Sequence, residues 1–117
     1  MAIILKGEKK LIGNCGIRKA NITSSEGELG CELDPHYWGQ GFAFEAVSML
    51  IKYSFEELKL HRVWSMTKLE NQAAIKLVEK LHFQNEGRLR EQEWLHDHWS
   101  DTLIYSILEQ EWKRHVL

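Results

Sequence analysis

In the stretch "ELGCELDPHYWGQGFAFEA", residues 28–46, the period of the chain changes. Up to Leu33 it alternates, with Leu29, Cys31 and Leu33 on one face and Glu28, Gly30 and Glu32 on the other, which predicts a half-buried strand. Pro35, the sole proline, closes that strand because it has no N–H to give a ladder. From Phe42 to about Leu58 the spacing turns helical, with Ala43, Ala46, Val47, Leu50, Ile51, Ser54 and Leu58 in one stripe. Between strand and helix stand Gly39, Gly41 and Ala43 at alternate positions. Small residues there serve either a plain turn into a helix or a cradle where main-chain N–H groups meet a phosphate without a Cβ intervening. No lysine follows as a nucleoside-triphosphate loop requires, and the third glycine of a dinucleotide fingerprint is missing.

Working outward, "AIILK" and "KLIGNCGIRK" read as two strands joined by the turn "GEKK", and "ANITSSEGE" as a polar loop. After the first helix, "HRVWSMTKL" reads as a strand. "ENQAAIKLVEKLHF" reads as a shorter helix with Asn71 at its start and Ala74, Leu77, Val78 and Leu81 inward. Two long strands joined around "HDHWSD" follow, and "KRHVL" closes the chain as a polar tail. The order β-β-β-α-β-α-β-β predicts an α+β (mixed α/β) fold. Its sheet is mostly antiparallel, with one parallel βαβ crossover around the first helix and helices on the faces.

The 117 residues fit one domain, 1–117, and 44% hydrophobic with 27% charged residues is the composition of a folded globular chain. A net charge of −2 gives no electrostatic footprint for nucleic acid. No apolar run approaches the ~20 residues of a membrane span, and the start "MAIILKGEKK" meets charge too soon for a signal peptide. No nucleic-acid or membrane partner is expected, and the cytoplasm is the expected location. Cys15 and Cys31 both fall in strands, where free thiols are expected. Five tryptophans, three of them at Trp94, Trp99 and Trp112, are expected to pack in the core and at its rim. His96, Asp97, His98 and Asp101 carry metal-ligand chemistry, but a hairpin tip without a second ligand pair reads as a polar turn, so no metal is expected.

Three ordered blocks resemble the GNAT superfamily of N-acetyltransferases, and within it the ribosomal-protein N-terminal and spermidine acetyltransferase branch. They are "ELGCELDPHYWGQGFAFE", "LENQAAIKLVEKLHF" and "WSDTLIYSILEQEW". The resemblance implies a GNAT-like fold that binds acetyl-CoA. Its pyrophosphate would lie on the N–H groups of Trp38, Gly39, Gln40, Gly41, Phe42 and Ala43, and its pantetheine arm along the main chain near Cys31 and Leu33. Asn71 would contact the same arm, alone or together with a helix-capping role. The implied reaction is direct acetyl transfer to a primary amine, either small-molecule or peptide. A carboxylate base is expected at Glu28, with Glu32 on the same strand face as the alternative; both also read as solvent-facing strand glutamates.

The chain departs from the family pattern at four places. Trp38 replaces an arginine or glutamine, Ala74 a serine, Val78 a tyrosine that protonates the leaving thiolate, and His82 a helix-ending glycine. Family members also begin with a further strand and two helices, so this chain reads as a partial domain, N-terminally truncated relative to the family: either a fragment or a short natural chain that builds the missing wall from another subunit. The sheet edge thereby uncovered predicts a homo-oligomer. Three readings follow: an acetyl-CoA-dependent N-acetyltransferase, a degenerate CoA-binding module without turnover, and a structural or partner-binding domain.

Overall fold

A computed structural model describes residues 2–5, 10–21, 23–37 and 39–116. Two compact units are formed, Met1–His61 and Arg62–Leu117. Strands and helices mix in both, as the α+β reading requires.

In the first unit, β1 (Ala2–Leu5), β2 (Lys10–Lys19) and β3 (Glu26–Leu33) form an antiparallel ladder, followed by a 3-10 turn at Pro35–Tyr37 and α1 (Phe42–Glu56). Gly7, Glu8 and Lys9 of the predicted first turn lie outside the described residues. β2 opposes β3 in unbroken register from Gly13↔Leu33 to Lys19↔Gly27. The apolar stripe of α1 packs against β2 and β3, burying Val47, Leu50, Ile51 and Phe55 together with Cys15 and Leu29. Each such side chain contributes roughly 1.5–3 kcal/mol. Phe55 had no place in the predicted stripe, while Ala43 and Leu58, which did, are only half-buried. Ser54, fully buried within that face, donates to the Leu50 carbonyl at 2.7 Å, so the helix itself satisfies it.

The second unit holds β4 (Arg62–Lys68), α2 (Gln72–Lys80), β5 (Gln84–Leu95), β6 (His98–Leu108) and α3 (Glu109–Val116). β6 is the central strand, antiparallel to β4 on one side and β5 on the other. Its position explains why Ser100, Thr102, Leu103, Tyr105, Ser106 and Ile107 are buried while most of β5 is exposed.

Several expectations are corrected in this unit. Lys113 to Val116 of the "KRHVL" tail belong to α3, whose first turn carries Glu109 and Glu111 and whose last carries Lys113, Arg114 and His115, charges that complement the helix dipole; Leu117 lies outside the described residues. Glu111 Oε1 also accepts the Leu108 N–H at 2.9 Å, the reciprocal half of a capping box, so the last strand ends at Leu108 and Trp112 is helical. The inward face of α2 is Ile75 and Val78, with Ala74, Leu77 and Leu81 half-buried. Finally, the hairpin tip is only His96 and Asp97, and Trp99, Ser100 and Asp101 stand in β6. Trp94 and Trp99 oppose each other across that hairpin with rings edge-on at 5.3 Å, both more than half exposed, so they pack on each other and not in the core.

Candidate functional site

The segment from Asp34 to Phe44 is shaped before any ligand arrives. Asp34 Oδ1 accepts the His36 N–H at 3.0 Å and its carbonyl accepts the Tyr37 N–H at 2.9 Å, which winds the 3-10 turn. Gln40 Nε2 reaches back to the His36 carbonyl at 3.2 Å, and the Tyr37 and Phe42 rings meet edge-on at 5.9 Å across the loop. Gly39 (φ 75°) and Gly41 (φ 83°) both adopt left-handed backbone, which an L side chain enters at about 1–2 kcal/mol. A Cβ added at either would meet no described atom within 4 Å, so space beside both glycines is open.

Gly41 is the N-cap of α1 and supplies no side-chain cap. The first hydrogen bond returning into the helix runs from Glu45 N–H to Gly41 O, at 3.0 Å. The N–H groups of Phe42 and Ala43 therefore have no acceptor inside the helix. Donors with no intrahelical acceptor, the positive end of the helix dipole and the absence of Cβ atoms are what an anionic oxygen needs. The structure thus sets Gly39, Gln40, Gly41, Phe42 and Ala43 in one arc, the first three exposed and the last two half-buried. Trp38, predicted with them, lies outside the described residues.

Cys31 and Leu33 stand on β3 opposite Cys15 and Gly13. Cys15 and Cys31 form no disulfide, and their thiols hydrogen-bond to each other. Burial first, then the neighbouring Cys15, pushes the Cys31 thiol up to about 11, and burial raises Cys15 as well. Glu28, the predicted base, is paired: Arg18 Nη2 meets its Oε1 at 2.5 Å, directly across the β2–β3 ladder. Arg18 was not foreseen, because ten residues separate it from Glu28 and only the strand register joins them. Glu32 is exposed opposite Asn14.

In the second unit Asn71 is the N-cap of α2, its Oδ1 accepting the Ala74 N–H at 3.1 Å, and its Nδ2 takes no part in that bond. Val78, at the position of the missing tyrosine, is buried and carries no proton. His82 occupies a left-handed cap (φ 68°) with Phe83 N–H to Val78 O at 2.9 Å and His82 N–H to Glu79 O at 3.0 Å. This is the double bond pattern a glycine normally completes, here with the His82 ring stacked on His115 at 3.7 Å. The acidic and histidine residues of the hairpin divide between two clusters. His98 lies between Asp97 and Glu70, whereas Asp101 takes Arg88 Nε at 2.5 Å and the Glu91 N–H at 2.8 Å. Among the described residues no group of three or more His, Cys, Asp or Glu side chains is arranged so that it could hold a metal ion.

The family profile described as an acetyltransferase (GNAT) domain matches residues 1–84. The uncharacterised N-acetyltransferase p20 of Bacillus licheniformis is 38% identical over 111 residues, covering 95% of this chain and 62% of that protein. A GNAT-family acetyltransferase of Bacillus anthracis superposes with a TM-score of 0.85 at 33% identity, over 94% of this chain and 66% of the other. A spermidine N-acetyltransferase of Vibrio cholerae, solved in complex with CoA and spermine, superposes with a TM-score of 0.82 at 28% identity, over 91% and 63%. The chain thus spans under two thirds of the length of p20.

Proposed function

Because the chain belongs to the acetyltransferase (GNAT) domain family, we propose that it moves an acetyl group from acetyl-CoA directly to a primary amine: a protein N-terminus, a polyamine or another small amine. The observation that carries this reading is the arc from Gly39 to Ala43, two left-handed glycines ahead of a helix without a side-chain cap. An arc of that kind suits the pyrophosphate of acetyl-CoA. The Vibrio cholerae relative, itself seen with CoA and spermine, supports both the cofactor and an amine acceptor.

Acetyl-CoA supplies the activated acyl group; the residues of the chain supply position and proton transfer. A lysine-type amine has a pKa near ~10.4 and must lose a proton before it attacks at neutral pH. Glu28 is the base we assign, with Glu32 the alternative on the same face. Arg18 engages Oε1 of Glu28, so the proton goes to Oε2 directly or through a water. A main-chain N–H near Cys31 or Leu33 on β3 would hold the negative charge that develops during transfer, a type of contact worth roughly 2.7–4 kcal/mol in a protease oxyanion hole. Ala74 and the buried Val78 carry no group that could protonate a departing thiolate.

That same absence favours one rival, a CoA-binding domain without turnover. Titration with acetyl-CoA and CoA under thermal denaturation tests both: no stabilisation overturns each of them and leaves a purely structural or partner-binding domain. Release of free thiol with a panel of amines then divides transferase from binder, and an unchanged amine-dependent rate in Glu28→Gln removes Glu28 from the role of base. Among the described residues β1 pairs with β2 and lies at the edge of the strand order, and such an edge is a template for a second copy. Sedimentation showing only monomer at micromolar concentration refutes a homo-oligomer. For location, no described helix is long and apolar enough to cross a membrane.

A further inference from the structure

The turn that carries the chain from β3 into the glycine arc is closed by a carboxylate, the one chemistry an anion site has reason to keep away. Asp34 opens the turn and Pro35 follows, with a fixed φ and no N–H to donate. The first N–H that needs an acceptor is that of His36, and Asp34 Oδ1 takes it at 3.0 Å. The Asp34 carbonyl takes the Tyr37 N–H at 2.9 Å, so one residue closes the turn twice. Two further contacts pass this shape on to the arc. The His36 carbonyl accepts Gln40 Nε2 at 3.2 Å, and the Tyr37 ring meets that of Phe42 edge-on at 5.9 Å. Gln40 and Phe42 flank Gly41, whose φ of 83° turns the chain into α1.

Charge and shape act in opposite directions at Asp34. Its negative charge, in the segment that leads into the arc, repels an arriving phosphate. Its Oδ1 contributes geometry, and closing the turn needs only an oxygen that accepts, which an asparagine also carries without the charge.

We propose that Asp34 is a positioning residue for the arc. Through the His36–Tyr37 turn it holds Gln40 and Phe42, and with them the N–H groups around Gly41, in a shape that receives a pyrophosphate before the ligand arrives. This role rests on the acetyl-CoA reading above. A pre-shaped arc binds more tightly because less ordering is left to the binding step. The consequence has an unusual sign: truncating an acidic residue beside an anion site weakens the binding of the anion.

The test uses CoA as the probe, its dissociation constant measured by calorimetry on the native whole chain, on Asp34→Ala and on Asp34→Asn at one pH and salt concentration. Both variants lose the charge, and only Asp34→Asn keeps an oxygen for the His36 N–H. We expect Asp34→Ala to bind about fivefold more weakly than the native chain, the size of one lost local side-chain cap, and Asp34→Asn to bind as tightly as the native chain or more tightly. Asp34→Ala binding at least as tightly as the native chain overturns the role, because charge alone is then at work. Asp34→Asn falling as far as Asp34→Ala overturns it as well, because the carboxylate and not the turn is then what the site uses. Hydrogen exchange at the His36 N–H of the native chain is the second readout and does not depend on either variant folding. Protection before any CoA is added is expected, and protection that arises only with CoA overturns the pre-shaped arc. A native chain that binds no CoA overturns the acetyl-CoA reading and this role with it.

Discussion

Gly41 offers a separation of charge from shape, through paired substitutions Gly41→Glu and Gly41→Gln. Both side chains have the same size and must adopt φ 83°, at about 1–2 kcal/mol of backbone strain. Nothing described lies within 4 Å of the added Cβ, so strain is the whole steric cost to the fold. A carboxylate at a helix N-terminus returns roughly 0.3–1 kcal/mol through the dipole, so Gly41→Glu should unfold near 1 kcal/mol earlier than the native chain. That is roughly 4 °C for a domain of this size. On a bound pyrophosphate the two substitutions diverge. A carboxylate about 6 Å from one phosphate charge costs roughly 1.4–3 kcal/mol for effective dielectrics of about 40 to 20, or ten- to hundredfold in affinity. Calorimetric titration with CoA should therefore show Gly41→Glu binding at least tenfold more weakly than Gly41→Gln, with the difference shrinking at high salt. Equal affinities for the two variants would refute the assignment of the pyrophosphate to this arc.

Other perturbations address the fold that carries the site. Gly27→Ala should lose about 1–3 kcal/mol in denaturant unfolding, because the new Cβ overlaps Ile17 Cγ2 and sits 3.1 Å from Leu60 Cδ1. Thr67→Val should gain about 1 kcal/mol, since the buried Oγ1 has no hydrogen-bond partner among the described residues; a loss would reveal one. Asp101 is held below the usual carboxyl range, first by the Glu91 N–H and then by Arg88. Its grip on Glu91, which lies in the bulge between Leu89 and Glu93, should thus persist through neutral pH and fail only as pH falls through that depressed value. The Glu91 amide shift in an NMR pH titration reads this, and a midpoint at or above the ordinary aspartate value contradicts it.

Much of the fold was legible because periodicity was clean where one face is buried. The alternation at Glu28–Leu33 and the stripe of α1 follow directly from a solvent side and a core side. Legibility failed where local chemistry decided the outcome. His96 and Asp97 turn the last hairpin in two residues without the glycine or asparagine that normally announces such a turn, so a wider loop was expected. α3 is too polar to show an apolar stripe; its signal was the Glu109 and Glu111 to Lys113 and Arg114 charge order, which a reading by hydrophobicity passes over. Of the candidate site, the glycine arc was visible because left-handed backbone favours one residue type. The Arg18–Glu28 pair and the hydrogen bonds that join Glu70 to His98 and Ser100 were not visible, since each joins strands or turns whose register no spacing in the sequence displays.

The facing thiols of Cys15 and Cys31 make the first ladder its own reporter. With Cys31 at about 11, close to one thiol in ten thousand is ionised at neutral pH, and Cys15 is 3% exposed. Maleimide or disulfide reagents thus find almost no nucleophile while β2 and β3 stay paired. Labelling proceeds chiefly through openings that part the two strands, and its rate counts those openings. An added compound that slows alkylation without touching either sulfur has stabilised the β2–β3 pairing, so ligands of this ladder can be screened by mass spectrometry with no enzymatic assay.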